Sequence, residues 1–381
     1  GVPQKRKMAG TGVLPFVRGI DFTRNEFGQD HFPYHVSEMI GLRWLRLNQA
    51  GLDSVPYELS KLQKLEHLSL VKNNLRQIHE DITKLPNLRF LNCRHNKLKN
   101  SGVPSDIFKL QDLSVMDLSH NQLREIPSDI ENTRNLLVLN LSHNEIEAIS
   151  NQLFINLTDL MYIDVSHNKL ETMPPQMRRL TNLQTLIISD NPMVHAQLRF
   201  VAALSSLTTL HMRNTKRTLD NFPPGLESLP HLEDNWEELE YLNISRNSLT
   251  ELPGSLQRLE NLRKLYMNGN QIDFNGIPAS IGKLHNLEVF SAANNNLETI
   301  PEGVCRYQDL FILYFKHLQL LLQLLTLDVR GNPDLVMPPK PPELMPGSGA
   351  NFYNIDFSLN HQLRLAGAMP PESPTETPSK C

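Results

Sequence analysis

Cysteine is scarce in this sequence: Cys93, Cys305 and Cys381 are the three among 381 residues. So few thiols over such a length argue for a reducing compartment and against a disulfide framework. Neither sign of charge is in large excess, with a net of −4 and a pI near 6.4. A general attraction to nucleic acid or anionic lipid is therefore not indicated. An unbroken apolar run able to span a bilayer is missing too. The best candidate, LFILYFKHLQLLLQLLTL from Leu310 to Leu327, is interrupted by Lys316, His317, Gln319 and Gln323, each costly in hydrocarbon. Nothing apolar opens the chain, so GVPQKRK is not a signal peptide, and Met8 can serve as a natural start. The triplets at Asn140, Asn156 and Asn243 match the glycosylation pattern, but a sequence rich in Asn, Leu and Ser makes them by chance. There is no Gly-rich phosphate loop, no HExxH and no CxxC.

What recurs is asparagine. Asn73, Asn96, Asn121, Asn144, Asn168 and Asn191 follow one another at 23 to 25 residues, each at the ninth place of the frame LxxLxLxxNxL. LEHLSLVKNNL from Leu65, LRFLNCRHNKL from Leu88 and LSVMDLSHNQL from Leu113 are three successive copies. First positions fall at Val17, Leu42, Leu65, Leu88, Leu113, Leu136, Leu160, Leu183 and Leu207, and resume at Leu239, Leu262, Leu287, Leu310 and Leu324. A fixed period of this length means a solenoid, whose coils bury an apolar edge only by stacking on their neighbours. This also explains how so long a chain can do without one large globular core.

Within a coil, positions four and six should point inward from a short strand and the alternating residues outward. Cys93 stands at an inward position and reads as packing. The asparagine sits where the chain turns off the strand, and its amide can satisfy backbone groups that have no sheet partner. The expected ladder is Asn25, Asn73, Asn96, Asn121, Asn144, Asn168, Asn191, Asn247, Asn270, Asn295 and Asn332. Ala50 and Thr215 stand where asparagine is expected, so those bends should be less well held. The remainder of each coil, with its Pro and Leu spacing, predicts a short helix or 3-10 turn. Longer copies carry Asn100-Ser-Gly-Val-Pro104 and Asn275-Gly-Ile-Pro278, where Gly would permit a tight bend.

The frame fails at two seams, expected at 215–238 and 314–324. Leu239 restarts it seven residues after Leu232, and Leu324 only 14 after Leu310, too short for a coil. Both look like segments removed from a regular array. The expected organisation is an unstructured leader over 1–11, the array over 12–336, a cap over 337–368 and a disordered tail over 369–381 carrying Ser373-Pro and Thr377-Pro.

His95, His120, His143 and His167 share position eight in four consecutive copies. Tetrahedral zinc needs ligands that converge on a point, and a straight row offers at most two neighbours. A pH-sensitive patch fits the row better than a metal-dependent enzyme does, and the plainest account is that Ser-His-Asn often fills this frame before a bend. Asp117 and Asp164, with Asn140 between them, are read as a solvated acidic stripe. General acid–base work needs burial to shift a pKa, so no catalytic residue is assigned. An RNA-binding array would need a continuous basic stripe that is not there.

The frame resembles that of leucine-rich repeats, which predicts an α/β fold: a horseshoe with a parallel concave sheet and short helical or 3-10 segments on the convex side. Secreted members close their ends with disulfide caps that cannot be built here. The segments TGVLPFVRGIDFTRNEF, NSGVPSDIFKLQDLSVMDLSHNQL, NQLFINLTDLMYIDVSHNKLETMPPQMRRL and LVMPPKPPELMPGSGANFYNIDFSLNHQLRLAGA resemble more closely the leucine-rich half of the Flightless-I family, within the gelsolin superfamily. That resemblance implies a non-enzymatic interaction module without a cofactor. Its implied partners are coiled-coil proteins or Ras-type GTPases. It also implies links to the actin cytoskeleton, through a gelsolin-like half not found in these residues, and to nuclear-receptor coactivation. The implied location is cytoplasmic and cytoskeleton-associated, with a nuclear one left open. The alternative is a GTPase-binding regulatory module with no actin role. Aromatic and arginine side chains dominate protein hot spots, so the expected docking set is outward-facing: Trp44, Arg46, Phe90, Arg94, Asp117, Asn140, Tyr162, Asp164, His211, Tyr241 and Tyr266. Arg213, Arg246 and Lys264 face the same way.

Overall fold

The computed structural model describes residues 11–28, 32–126, 130, 132–196, 198–223, 238–273, 276–298, 300–301 and 324–335. The chain forms two compact units, the first built mainly on 1–215 and the second on 216–222 and 237–381.

In the first unit each copy of the frame supplies one three-residue strand. These are β1 Gly19–Asp21, β2 Trp44–Arg46, β3 His67–Ser69, β4 Phe90–Asn92, β5 Val115–Asp117, β6 Val138–Asn140, β7 Tyr162–Asp164, β8 Thr185–Ile187 and β9 Thr209–His211. Each pairs in parallel with the next, position three on three and five on five. The second unit repeats the plan with β10 Tyr241–Asn243, β11 Lys264–Tyr266, β12 Val289–Ser291 and β13 Thr326–Asp328. Leucines at positions one, four and six inside the stack are sealed from water, while Leu327 on the last described strand is only partly covered. Leu65, Leu68, Leu70, Leu136, Leu139 and Leu141 are all 0% exposed. Burial of one such side chain contributes about 1.5–3 kcal/mol, and repetition along the stack makes the core.

The described return segments are mostly 3-10 turns of five residues, such as Tyr57–Lys61, Ser105–Lys109 and Pro175–Arg179. Pro56, Pro104 and Pro174 precede them with φ near −60 to −68°, so the ring sets the entry angle. A single α turn, Leu153–Asn156, replaces one of them.

From Asn73 onward each asparagine of the ladder donates from its side chain to backbone carbonyls at its bend. Asn144 is typical: Oδ1 accepts the N–H of Leu123 in the preceding coil, while Nδ2 donates to the carbonyls of Leu118 and Leu141. The bends lacking asparagine are held in other ways. Phe27 N–H bonds the Ala50 carbonyl at 3.0 Å, and the Thr215 hydroxyl donates to Met212 O at 2.9 Å. Asn25, at the exposed first bend, donates from its side chain to Phe22 O in its own coil.

The two inserted glycines serve a close approach, and neither has a positive φ. Ile78 N–H bonds Gly102 O, and Leu252 N–H bonds Gly276 O. A Cβ on either glycine would run into a backbone carbonyl, of Arg76 or of Thr250. β13 pairs directly with β12, so no strand stands between them. The frame counted from Leu310 and the seam to residue 323 lie outside the described residues, as do 224–237 of the other seam. So do residues 1–10, the expected cap and the expected tail. Thr11 already belongs to a 3-10 turn, Thr11–Phe16.

Candidate functional site

Outward side chains at positions two, three, five, seven and eight form the open face of each sheet. In the first unit Trp44, 41% exposed, lies over Gly19, where any Cβ would collide with the indole. The Arg46 guanidinium sits 5.5 Å from the Trp44 ring centroid and pairs with Asp21 at 3.5 Å. Phe90 packs beside His67 at 5.6 Å between ring centres. His211 is partly buried on β9, which lowers its pKa.

Position five has a structural duty that the sequence reading missed. Asp117 Oδ1 accepts the N–H of Ser119, Asn140 Oδ1 that of Ser142, and Asp164 Oδ1 that of Ser166. Each is an Asx turn that caps the end of its own strand. The expected solvated stripe is therefore corrected: Asp164 is only 9% exposed, and one oxygen of each carboxylate is engaged. Their second oxygens have no ion-pair partner among the described residues. Half-buried Tyr162 stands next to them; burial first, then the charges of Asp164 and Asp117, push its phenol up to about 12.

The four histidines stack as a ladder, with ring centroids 3.9, 3.9 and 4.0 Å apart and interplanar angles of 25°, 11° and 13°. All four occupy the left-handed region, φ 52–56°. So does every described position-eight residue, including Asn214, Gly269, Asn294 and Gly331. His, Asn and Gly tolerate this conformation better than most residues do, but Arg24, Gln49, Lys72 and Arg246 adopt it at the same position, so the requirement favours such residues without dictating them. Parallel rings do not converge on an ion, and among the described residues no cluster of three or more His, Cys, Asp or Glu could hold one. Burial is the first cause, and charged neighbours the second, that hold His95 and His143 below the usual imidazole range and His120 down to about 4. The pH response is therefore displaced to the acid side. Arg94 Nη2 lies 3.4 Å from His120 Nε2, and His167 Nε2 lies 3.3 Å from Asp190 Oδ2 at the end of the ladder.

Leu137 and Met161, neighbours at frame position two just before β6 and β7, were also missed. They remain 37% and 36% exposed. Other position-two residues of this unit are polar, such as Arg43, Glu66, Arg89, Ser114 and Gln184, so the signal was present in the frame. In the second unit Tyr241 and Tyr266 pack at 5.2 Å. Of the expected docking set, Trp44 to His211 belong to the first unit and Tyr241 and Tyr266 to the second.

Leucine-rich repeat models match residues 40–98, 134–193 and 205–272, and also 112–133 and 261–284, together more than half of the chain. The chain belongs to the leucine-rich repeat family. Among curated relatives it is 51% identical to a human flightless-1 homolog over 432 residues and 50% identical to flightless-1 of Drosophila melanogaster over 424. These alignments take in 95% and 97% of this chain but 32% and 33% of the relatives, so the chain spans about a third of their length. A solved leucine-rich repeat protein of Leptospira interrogans superposes with a TM-score of 0.65 at 23% identity, covering 85% of this chain and 87% of its own, which shows the fold. Leucine-rich repeats are a non-enzymatic interaction fold, and no residue of this chain is assigned to catalysis. No helix among the described residues is long and apolar enough to cross a membrane.

Proposed function

We propose that this chain is a protein-docking scaffold and that the open strand face of its first unit receives the partner. The observation that carries this reading is the presence of large side chains where the frame asks for none. Trp44 on β2, and Leu137 and Met161 immediately before β6 and β7, remain exposed, and each of these strands is paired on both sides. Large exposed side chains on a rigid sheet are the usual anchors of an interface. Arg46 and Arg94 supply charge at one end. The second unit offers its own pair, Tyr241 and Tyr266.

The likeness to flightless-1 proteins supports a finer proposal. In a longer protein of that kind this array would join a coiled-coil protein or a Ras-type GTPase to actin regulation or to nuclear-receptor coactivation. The location proposed with it is cytoplasmic and cytoskeletal, with nuclear access. The test is cross-linking mass spectrometry of partners captured by the chain. Cross-links should fall on the open face of the first unit, and Trp44→Ser with Met161→Ser should abolish capture while Tyr57→Ser, on a return turn, leaves it intact. Equal capture by both variants would reject the reading.

A further inference from the structure

Across β5 to β8 the open face contains no lysine or arginine at positions two, three, five, seven or eight. The flanking coils do contain them: Arg89 and Arg94 on one side, Arg213 on the other. Within this window an apolar strip formed by Leu137, Val138, Met161 and Tyr162 runs beside Asp117 and Asp164. Neither carboxylate has an ion-pair partner among the described residues, and one oxygen of each is held by the backbone of its own strand. Any protein that covers the strip removes water from the half-buried Asp117 carboxylate and from the remaining exposed edge of Asp164. A neutral or acidic cover would leave that desolvation uncompensated, whereas a cationic one offsets it.

The spacing narrows the shape of the cover. Asp117 and Asp164 stand two strands apart, about 10 Å at the usual strand separation of about 4.8 Å. A helix rises about 1.5 Å per residue, so side chains at i and i+7 share a face about 10.5 Å apart. An extended segment presents same-face residues about 6.7 or 13.4 Å apart and misses this distance. We infer that the window receives an amphipathic helix of another protein, lying across the strands, with apolar residues against the strip and Lys or Arg at i and i+7 against Asp117 and Asp164. This rests on the docking reading above and specifies its partner class.

The test uses the full chain and three synthetic amphipathic Leu/Gln helices, identical except for Lys, Gln or Glu at one i, i+7 pair. Binding is followed by fluorescence anisotropy and mapped by hydrogen exchange. The Lys helix should bind about tenfold or more tighter than the Gln helix, as expected for a desolvated charge pair, and the Glu helix weakest. Asp117→Asn with Asp164→Asn keeps the acceptor that Asn140 already provides at this position, so the fold should survive, as a thermal melt would verify. In that variant the Lys advantage should vanish. Leu137→Ser with Met161→Ser should weaken all three helices alike. Equal binding of Lys and Gln helices to the unmodified chain, or an advantage that persists without the carboxylates, overturns the inference. Protection by both peptide and natural partner away from the strand face would instead defeat the docking reading itself.

Discussion

Asn48 Oδ1 accepts the N–H of Val71, one coil further on, at 2.9 Å. It does so because Ser69, at position five of Val71's own coil, has no side-chain carbonyl to offer. The same relay from position seven of the preceding coil occurs in three other coils whose position five is not Asx. Ser189 Oγ serves Arg213, where position five is His211. Ser245 Oγ serves Asn268, where it is Tyr266, and Asn268 Oδ1 serves Ala293, where it is Ser291.

Replacing Asn48 with Ala should leave the Val71 N–H without an acceptor, at a cost of about 1–3 kcal/mol. Ser69→Asp provides an Asx cap from within the coil, so adding it to Asn48→Ala should recover most of the loss. Urea unfolding midpoints of the single and double variants decide the matter; simple additivity of the two changes would refute this account.

Asn144 bonds the N–H of Leu123 and the carbonyls of Leu118 and Leu141 while only 8% exposed. Asn144→Ala strands one buried N–H and weakens two carbonyls, so it should lower stability by at least about 2 kcal/mol. Asn25→Ala, at the exposed first bend where the side chain bonds Phe22 O, should cost a small fraction of that. Thermal melts of the two variants compare an interior bend with a terminal one.

The period, the inward leucines and the ladder were legible in the sequence because each is a repeated answer to one local need: an apolar edge to bury and a bend to satisfy. The roles at positions five and eight were less so. Asp117 and Asp164 look like free acids until the backbone places a strand-end N–H two residues on. The histidine row looks like chemistry until its backbone proves left-handed, as it is at Gly269 and Gly331. Leu137 and Met161 could have been found by comparing position two across copies. Their significance needed the neighbouring strands to bring them side by side.

Gly102 and Gly254 make opposite cases. A Cβ at Gly102 would meet the carbonyl of Arg76, whereas at Gly254 it meets nothing within 4 Å. Gly102→Ala should therefore push two coils apart and destabilise by about 1–3 kcal/mol. Gly254→Ala should stabilise by about 0.4–1 kcal/mol, because it restricts the unfolded chain without a clash. Equal shifts of the melting temperature in the two variants would contradict the packing reason given for the inserted glycine.

The histidine ladder sets a pH dependence whose sign follows from its lowered pKa values. His95, His120 and His143 bind a proton less readily when folded than the ordinary imidazole near 6.5, and His120 only near 4. The unfolded chain therefore takes up more protons as the pH falls, and stability declines with it. The ladder's contribution is fully present above about pH 6.5 and is lost on the way down towards His120's value of about 4. Stacked rings 3.9 Å apart add mutual repulsion once two of them are charged. His120→Asn with His143→Asn keeps a residue suited to the left-handed backbone, as Asn214 and Asn294 are in the same column. The urea midpoint of the parent should fall between about pH 6.5 and 4 more steeply than that of the double variant, with the two curves parallel above about pH 7. Parallel curves throughout would mean that the stacked rings titrate as ordinary surface histidines.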